Sequence, residues 1–227
     1  MSDPATGRLT GRLALITGAS RGIGAAVARR FAAEGAHVVL VARTVGGLEE
    51  VDDQVRAVGG NATLVPLDLS EFDKIDQMAA AIHQRFGRLD ILVGNAGMLG
   101  ELGPLAHLDP KLLQRMLDLH VTANWRLIRA FDALLRLAPA GRALFTSCAA
   151  GREPKAYWSG YAVTKAALEM MVQVYDAELG LTRVKARLVD PGPVTTALRK
   201  TAFPGEDRTA VPKPDEVAGL FLEAALA

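Results

Sequence analysis

Cysteine is almost missing from this 227-residue chain, with Cys148 the only one. No internal disulfide can form, which fits a reducing compartment. Charge of one sign is lacking too. Lysine and arginine number 26 against 25 aspartates and glutamates, with no extended basic block. Nucleic acid and acidic membrane surfaces are therefore poor partners. The four histidines are scattered and nothing has metal-ligand spacing, so no metal site is expected. No segment is apolar enough for long enough to span a bilayer, and Met1–Gly7 carries no apolar core of the signal-peptide kind. A cytoplasmic location is the expectation. What is plentiful is apolar residues, half of the chain beside 22% charged, enough for one large core.

Short apolar runs alternate with longer amphipathic segments. Strands are expected at Leu13–Thr17, His37–Ala42, Ala62–Leu67, Leu89–Val93, Arg142–Ser147 and Val184–Val189. Helices are expected from the turn after Thr17 to about Ala33, and over Gly47–Val58, Asp73–Phe86, Ser159–Leu179 and Pro214–Ala225. Two more, near Pro110–Leu119 and His120–Leu137, read as nearly continuous. Strands apolar throughout suit a parallel sheet buried on both faces, and the βαβ alternation predicts an α/β, doubly wound, Rossmann-like fold. Residues 1–10 read as a loose tail, and 11–227 as one domain.

The turn Gly18-x-x-x-Gly22-x-Gly24 follows a strand and opens a helix. Without side chains there, a backbone can approach a pyrophosphate at the positive end of the helix; the alternative is a purely structural turn. Arg43 directly follows the second strand, where an acidic residue would hold an adenosine ribose. With Ala42 beside it and no adjacent carboxylate, Arg43 and Arg21 are placed to receive a 2′-phosphate, which predicts NADP over NAD; the alternative is a solvated arginine. Asp68, before Leu69, would accept from an adenine amino group or else cap the next helix. Gly94-Asn95-Ala96-Gly97 ends the fourth strand and belongs beside the first turn, unless it is merely a turn itself.

Tyr161 and Lys165 stand four residues apart in a helix and so share a face. An ammonium beside a phenol favours phenolate and lowers its pKa, which would make a proton donor and acceptor usable near neutral pH.

Together these residues closely resemble the short-chain dehydrogenase/reductase family. The resemblance rests on Thr17-Gly18-x-x-x-Gly22-x-Gly24, Asp68, Asn95-Ala96-Gly97, Tyr161-x-x-x-Lys165 and Pro191-Gly192-Pro193-Val194-x-Thr196, in family order and spacing. It implies a nicotinamide cofactor across the sheet edge. Its contacts would come from Gly18, Ser20, Arg21, Gly22, Ile23, Gly24, Arg43, Asp68, Leu69, Asn95, Ala96 and Gly97. Tyr161 would exchange the substrate proton and Lys165 would hold the ribose. Pro191, Gly192, Val194 and Thr196 would orient the nicotinamide.

Three departures from the family pattern follow. Cys148 stands where the family places a serine, and a thiol is a weak donor. Ser147 is adjacent, but one step along a strand sends its side chain to the other face unless a bulge re-aims it. His120 replaces the family's asparagine, and an imidazole could relay a proton. The family's seventh strand is not expected, which predicts a six-stranded sheet and a homodimer through the two long central helices. Trp158 and Tyr157 are expected to line the opening, under a lid over Ala197–Lys213. The reading is an NADP(H)-dependent oxidoreductase interconverting a small-molecule carbonyl and an alcohol. Its rival is an NADP(H)-binding regulatory or scaffold protein with weak or no catalysis. The substrate and the preferred direction are not legible.

Overall fold

The computed structural model describes residues 7–227. Six parallel strands run in the order β3-β2-β1-β4-β5-β6. They are β1 (Leu13–Thr17), β2 (His37–Ala42), β3 (Asn61–Pro66), β4 (Ile91–Gly94), β5 (Arg142–Thr146) and β6 (Lys185–Val189). Side chains alternate across the sheet, so each strand feeds two cores. Leu13, Leu15, Val39 and Val41 face one side, where α3 (Phe72–Phe86), α5 (Ala123–Arg136) and α6 (Ser159–Leu179) pack. Ala14, Ile16, Val38 and Leu40 face the other, against α1 (Gly22–Ala33), α2 (Val45–Ala57) and α8 (Pro214–Leu226). Burial on both faces explains why the central strands read as unbroken apolar runs.

The order reverses between β1 and β4. The crevice outside the carboxyl ends of those two strands is where open α/β sheets bind ligands. The turns after β1, β4 and β5 all open there.

One sequence expectation changes here. Residues 7–10 are anchored rather than loose: Leu9 is fully buried, its N–H donates to the Glu34 carbonyl at 2.8 Å, and Arg8 pairs with Glu34 and Glu223. The rest of the expected tail, residues 1–6, lies outside the described residues. The two central helices are α4 (Pro110–Leu117) and α5, joined without a break by a π-helical turn over Asp118–Thr122. Asp109 caps α4 by accepting from the Lys111 N–H, and Pro110 at the first position costs no hydrogen bond there. A π turn inserts one extra residue and re-aims the side chains around it. Here it turns His120 inward to complete burial.

Candidate active site

Backbone shape comes first. Gly18 has φ +64°, and a Cβ there would stand 2.9 Å from the Ala96 Cα. A Cβ on Gly24 would meet the Gly18 carbonyl oxygen at 2.4 Å. Only hydrogen fits at either position, so the turn packs directly on the turn after β4. Helix α1 then opens with Arg21 as its N-cap, without a side-chain cap bond or an acidic residue in the first turn. The leading N–H groups have no carbonyl one turn back to bond, which leaves donors for an anion.

Thr17 and Asn95 stitch the strand ends together. The Thr17 hydroxyl accepts from the N–H groups of Asn95 (2.9 Å) and Ala96 (3.1 Å) and donates to the Val93 carbonyl (3.2 Å). The Asn95 amide donates to the Thr17 carbonyl (3.0 Å), and its oxygen accepts from Thr146 (3.2 Å). Asn95 thus ties β1, β4 and β5 into one rim.

Tyr161 and Lys165 share the buried face of α6, Tyr161 8% and Lys165 5% exposed. The ammonium lies 6.0 Å from the phenol ring centre and donates to the Thr146 carbonyl at 2.9 Å. The expected lowering of the tyrosine pKa is corrected here. Burial pushes the Tyr161 phenol above its ordinary value, and Cys148 and Asp190 push the same way. Burial also draws the Lys165 ammonium down. Burial thus favours the un-ionised phenol at Tyr161.

Of the two candidates after β5, only Cys148 joins it. Its thiol faces the Tyr161 hydroxyl at 3.7 Å. Ser147 is 2% exposed and donates instead to the Glu169 carboxylate, while accepting from Arg152 at 3.0 Å. Strand alternation, with no bulge to re-aim it, puts Ser147 behind the site.

His120 is also not a free relay. Its Nε2 accepts from the Met98 N–H at 3.0 Å, and its Nδ1 lies 2.7 Å from the Thr164 hydroxyl. Thr164 in turn donates to the Gly160 carbonyl at 2.7 Å, so the imidazole carries its proton on Nδ1. Burial, then the nearby Lys165 charge, lowers the His120 pKa to about 3. The neutral ring stands edge-on to Tyr161, 5.9 Å between centres, and pins α6 to the loop after β4.

The adenosine end is more open. Arg43 and Arg21 are both exposed. The Arg43 guanidinium stands 3.8 Å from Asp68. Asp68 accepts from the Ser70 N–H (2.9 Å) and hydroxyl (2.8 Å). These bonds, with Arg43, hold its carboxyl below the usual range. It is not a helix cap: Glu71 holds the N-cap position of α3. Leu69 is buried beside it, whereas Ser20 and Ile23 sit half-buried in the first turn.

The segment after β6 arches over the rim. Asp190 accepts from the Gly192 N–H at 2.9 Å, which shapes the Pro191–Pro193 turn. Val194 is buried. Thr196 spends its hydroxyl capping α7 (Ala197–Ala202) through the Arg199 N–H, while its methyl stands 3.7 Å from where a Gly22 Cβ would be. Phe203, just past α7, lies 5.7 Å from Trp158, which itself lies 5.7 Å from Tyr161. Leu99, Leu112 and Met116 complete an apolar wall around the phenol. Tyr157, expected at the opening, is 65% exposed.

Sequence reasoning missed Thr164, Glu169, Arg152 and Asp190. Glu169 carried a signal, since it falls one turn beyond Lys165 on the face that must be buried. Arg152 carried none.

The glycine turn, the rim asparagine and the tyrosine–lysine pair converge at one edge of a Rossmann-like sheet. The family model described as short chain dehydrogenase matches residues 12–207, and the chain belongs to the short-chain dehydrogenase/reductase family, enzymes that interconvert CH–OH and C=O groups. The uncharacterized oxidoreductase YciK of Escherichia coli (strain K12) is 33% identical over 223 residues, 97% of this chain and 88% of that protein. A short chain dehydrogenase of Shigella flexneri solved with NADP superposes with TM-score 0.93 at 34% identity, covering 97% of this chain and 93% of that one. Another, from Escherichia coli CFT073 with NADPH, gives TM-score 0.91 at 33% identity, covering 98% and 93%.

Proposed function

We propose that the chain is an NADP(H)-dependent oxidoreductase that interconverts a small, partly apolar carbonyl compound and its alcohol. The observation that carries this reading is the buried Tyr161 hydroxyl, set beside Cys148 and an apolar wall at the sheet edge. A dinucleotide fits the turn on physical grounds. A Cβ would fill the cradle at Gly18 and Gly24, and the opening of α1 offers uncapped donors. Arg43 and Arg21 would take the 2′-phosphate, and Asp68 would hold Arg43 in place. The cofactors named with the two structural relatives agree. Bound there, the nicotinamide supplies or accepts the hydride.

The chain's own residues manage the rest. Tyr161 delivers its proton to the carbonyl oxygen during reduction and recovers it during oxidation. Lys165, held by the Thr146 carbonyl, would hold the ribose of the bound cofactor. Cys148 gives the substrate oxygen a second, weaker donor. The wall from Leu99 to Trp158, closed by Phe203, excludes water. His120 positions rather than relays.

A panel of aldehydes and ketones with NADPH or NADH tests the reading. At least one carbonyl should be reduced, with NADPH preferred by about tenfold or more, the worth of one charge-assisted hydrogen bond. No turnover across the panel refutes the activity, and NADH preference refutes the roles of Arg43 and Arg21.

Helices α5 and α6 leave Trp125, Val163, Met170 and Val174 exposed. The exposed Trp125 on α5 supports a homodimer through the two central helices, α4 and α5, as the proposed assembly, and a monomer in sedimentation at micromolar concentration would sink it. Among the described residues no helix is long and apolar enough to cross a membrane.

A further inference from the structure

Behind Tyr161 lies a charged cluster that the chemistry above leaves unused. Glu169 is 3% exposed, a carboxylate that needs partners at such depth. It has two. The Ser147 hydroxyl donates to it, and Arg152 donates to the same oxygen at 2.8 Å. The other arm of Arg152 reaches the Asp190 carboxylate, and Arg152 also donates to Ser147. One guanidinium therefore bridges three segments. These are the turn after β5 that carries Cys148, the helix α6 that carries Tyr161 and Lys165, and the start of the loop expected to face the nicotinamide. The contact is tight. A Cβ on Gly151 would stand 3.0 Å from the Glu169 Oε1 and 3.1 Å from the Lys165 carbonyl carbon.

We propose that Arg152, with Glu169 and Asp190, is a positioning clamp that sets the distance between the Cys148 thiol and the Tyr161 hydroxyl and neutralises the carboxylates behind them. The proposal rests on the reading of Tyr161 as the proton donor. Arg152 touches no reacting atom in this scheme; it acts through the two segments it joins. The clamp also accounts for Ser147, whose hydroxyl is committed to Glu169 and lost to the substrate.

The groups facing the phenol are Lys165 from α6, Cys148 from the β5 turn, His120 from the π turn and Asp190 from the end of β6; the remaining wall is apolar. Neutral His120 adds no charge. Removing the guanidinium leaves Asp190 unneutralised near the phenol, which favours its protonated form. The alkaline limb of alcohol oxidation should then move to higher pH.

The test compares Arg152→Met and Arg152→Lys with the unmodified enzyme. Arg152→Met should lower kcat about tenfold or more with the NADPH KM within about twofold, the effect of a misplaced donor. Its alkaline limb should rise by about half a pH unit or more, and Arg152→Lys should restore the limb. An unchanged kcat and limb in Arg152→Met would overturn the clamp.

A second arm needs no turnover. Cys148 is the single thiol, so intact mass reports its alkylation by iodoacetamide. Both chains are labelled at the same alkaline pH, and the ratio of the rates reports access. Arg152→Met should label at least about fivefold faster than the unmodified chain; equal rates would overturn the clamp. An unmodified chain inactive on every carbonyl would instead count against the proposed function, and the labelling would still decide the clamp.

Discussion

Replacing Tyr161 by Phe should lower carbonyl reduction by about 10³-fold or more while NADPH affinity stays within about twofold. The variant deletes one oxygen and keeps the ring that packs on Trp158, His120 and Met116. General acid catalysis by a placed side chain is worth roughly 10²–10⁴ in rate, and among the described residues no other protonated donor of similar strength faces that space. Ser147 is turned toward Glu169, His120 is neutral with both nitrogens engaged, and the Lys165 ammonium is bonded to Thr146. The pH dependence follows from the sign of the shift. The Tyr161 pKa is raised, so the phenol stays protonated through neutral pH and reduction should be flat there. Oxidation needs the deprotonated form and should climb with pH into the alkaline range. Steady-state kinetics in both directions, with NADPH binding followed by fluorescence, check this. Undiminished turnover in Tyr161→Phe would remove the tyrosine from the mechanism.

Cys148→Ser should raise kcat about tenfold or more with little change in stability. The thiol is a weak donor and lies 3.7 Å from the Tyr161 hydroxyl. A hydroxyl at the same site would offer the substrate oxygen a full hydrogen bond, and a preorganised donor of that kind carries about 10²–10³ in rate. The gain is expected below that ceiling because the thiol already donates weakly. The comparison separates two readings of the chain. Measurable activity in the natural sequence, improved by serine, supports an enzyme working with a reduced donor set. Activity only in the serine variant supports a nucleotide-binding protein whose chemistry has lapsed. Kinetics on the carbonyl panel supply the measurement, and an unchanged or lower kcat would mean that Cys148 contacts no reacting oxygen.

Serine at position 148 bears on the geometry behind it. Arg152, Glu169 and Ser147 hold the turn after β5, so the new hydroxyl would inherit the thiol's placement. The two residues therefore do not trade roles.

Much of this was legible in the residues alone. The unbroken apolar strands, the helix-opening glycine turn and the tyrosine four residues before a lysine are local signals, because strand burial, backbone freedom and helix periodicity act over a few neighbours. They placed six strands and the main helices to within a few residues, and they put the rim residues at one sheet edge. The π turn was not legible. Its one added residue depends on where α4 and α5 must pack, not on any local pattern. Residues 7–10 likewise read as tail, because a single leucine shows its burial only against Glu34 and α8.

Electrostatics divided along the same line. The sequence by itself determined the family fold, the tyrosine–lysine spacing, the identity of Cys148 and His120, and the basic residues Arg21 and Arg43. Tertiary structure decided the direction of the Tyr161 shift, the neutrality of His120, and which of Ser147 and Cys148 meets the phenol. Desolvation and hydrogen-bond partners come from segments distant in the chain, as with the Arg152 bridge to Glu169 and Asp190. Those terms outweigh the influence of the lysine one turn away. Spacing along a helix sets which groups can meet; only packing sets how deeply they are buried when they do.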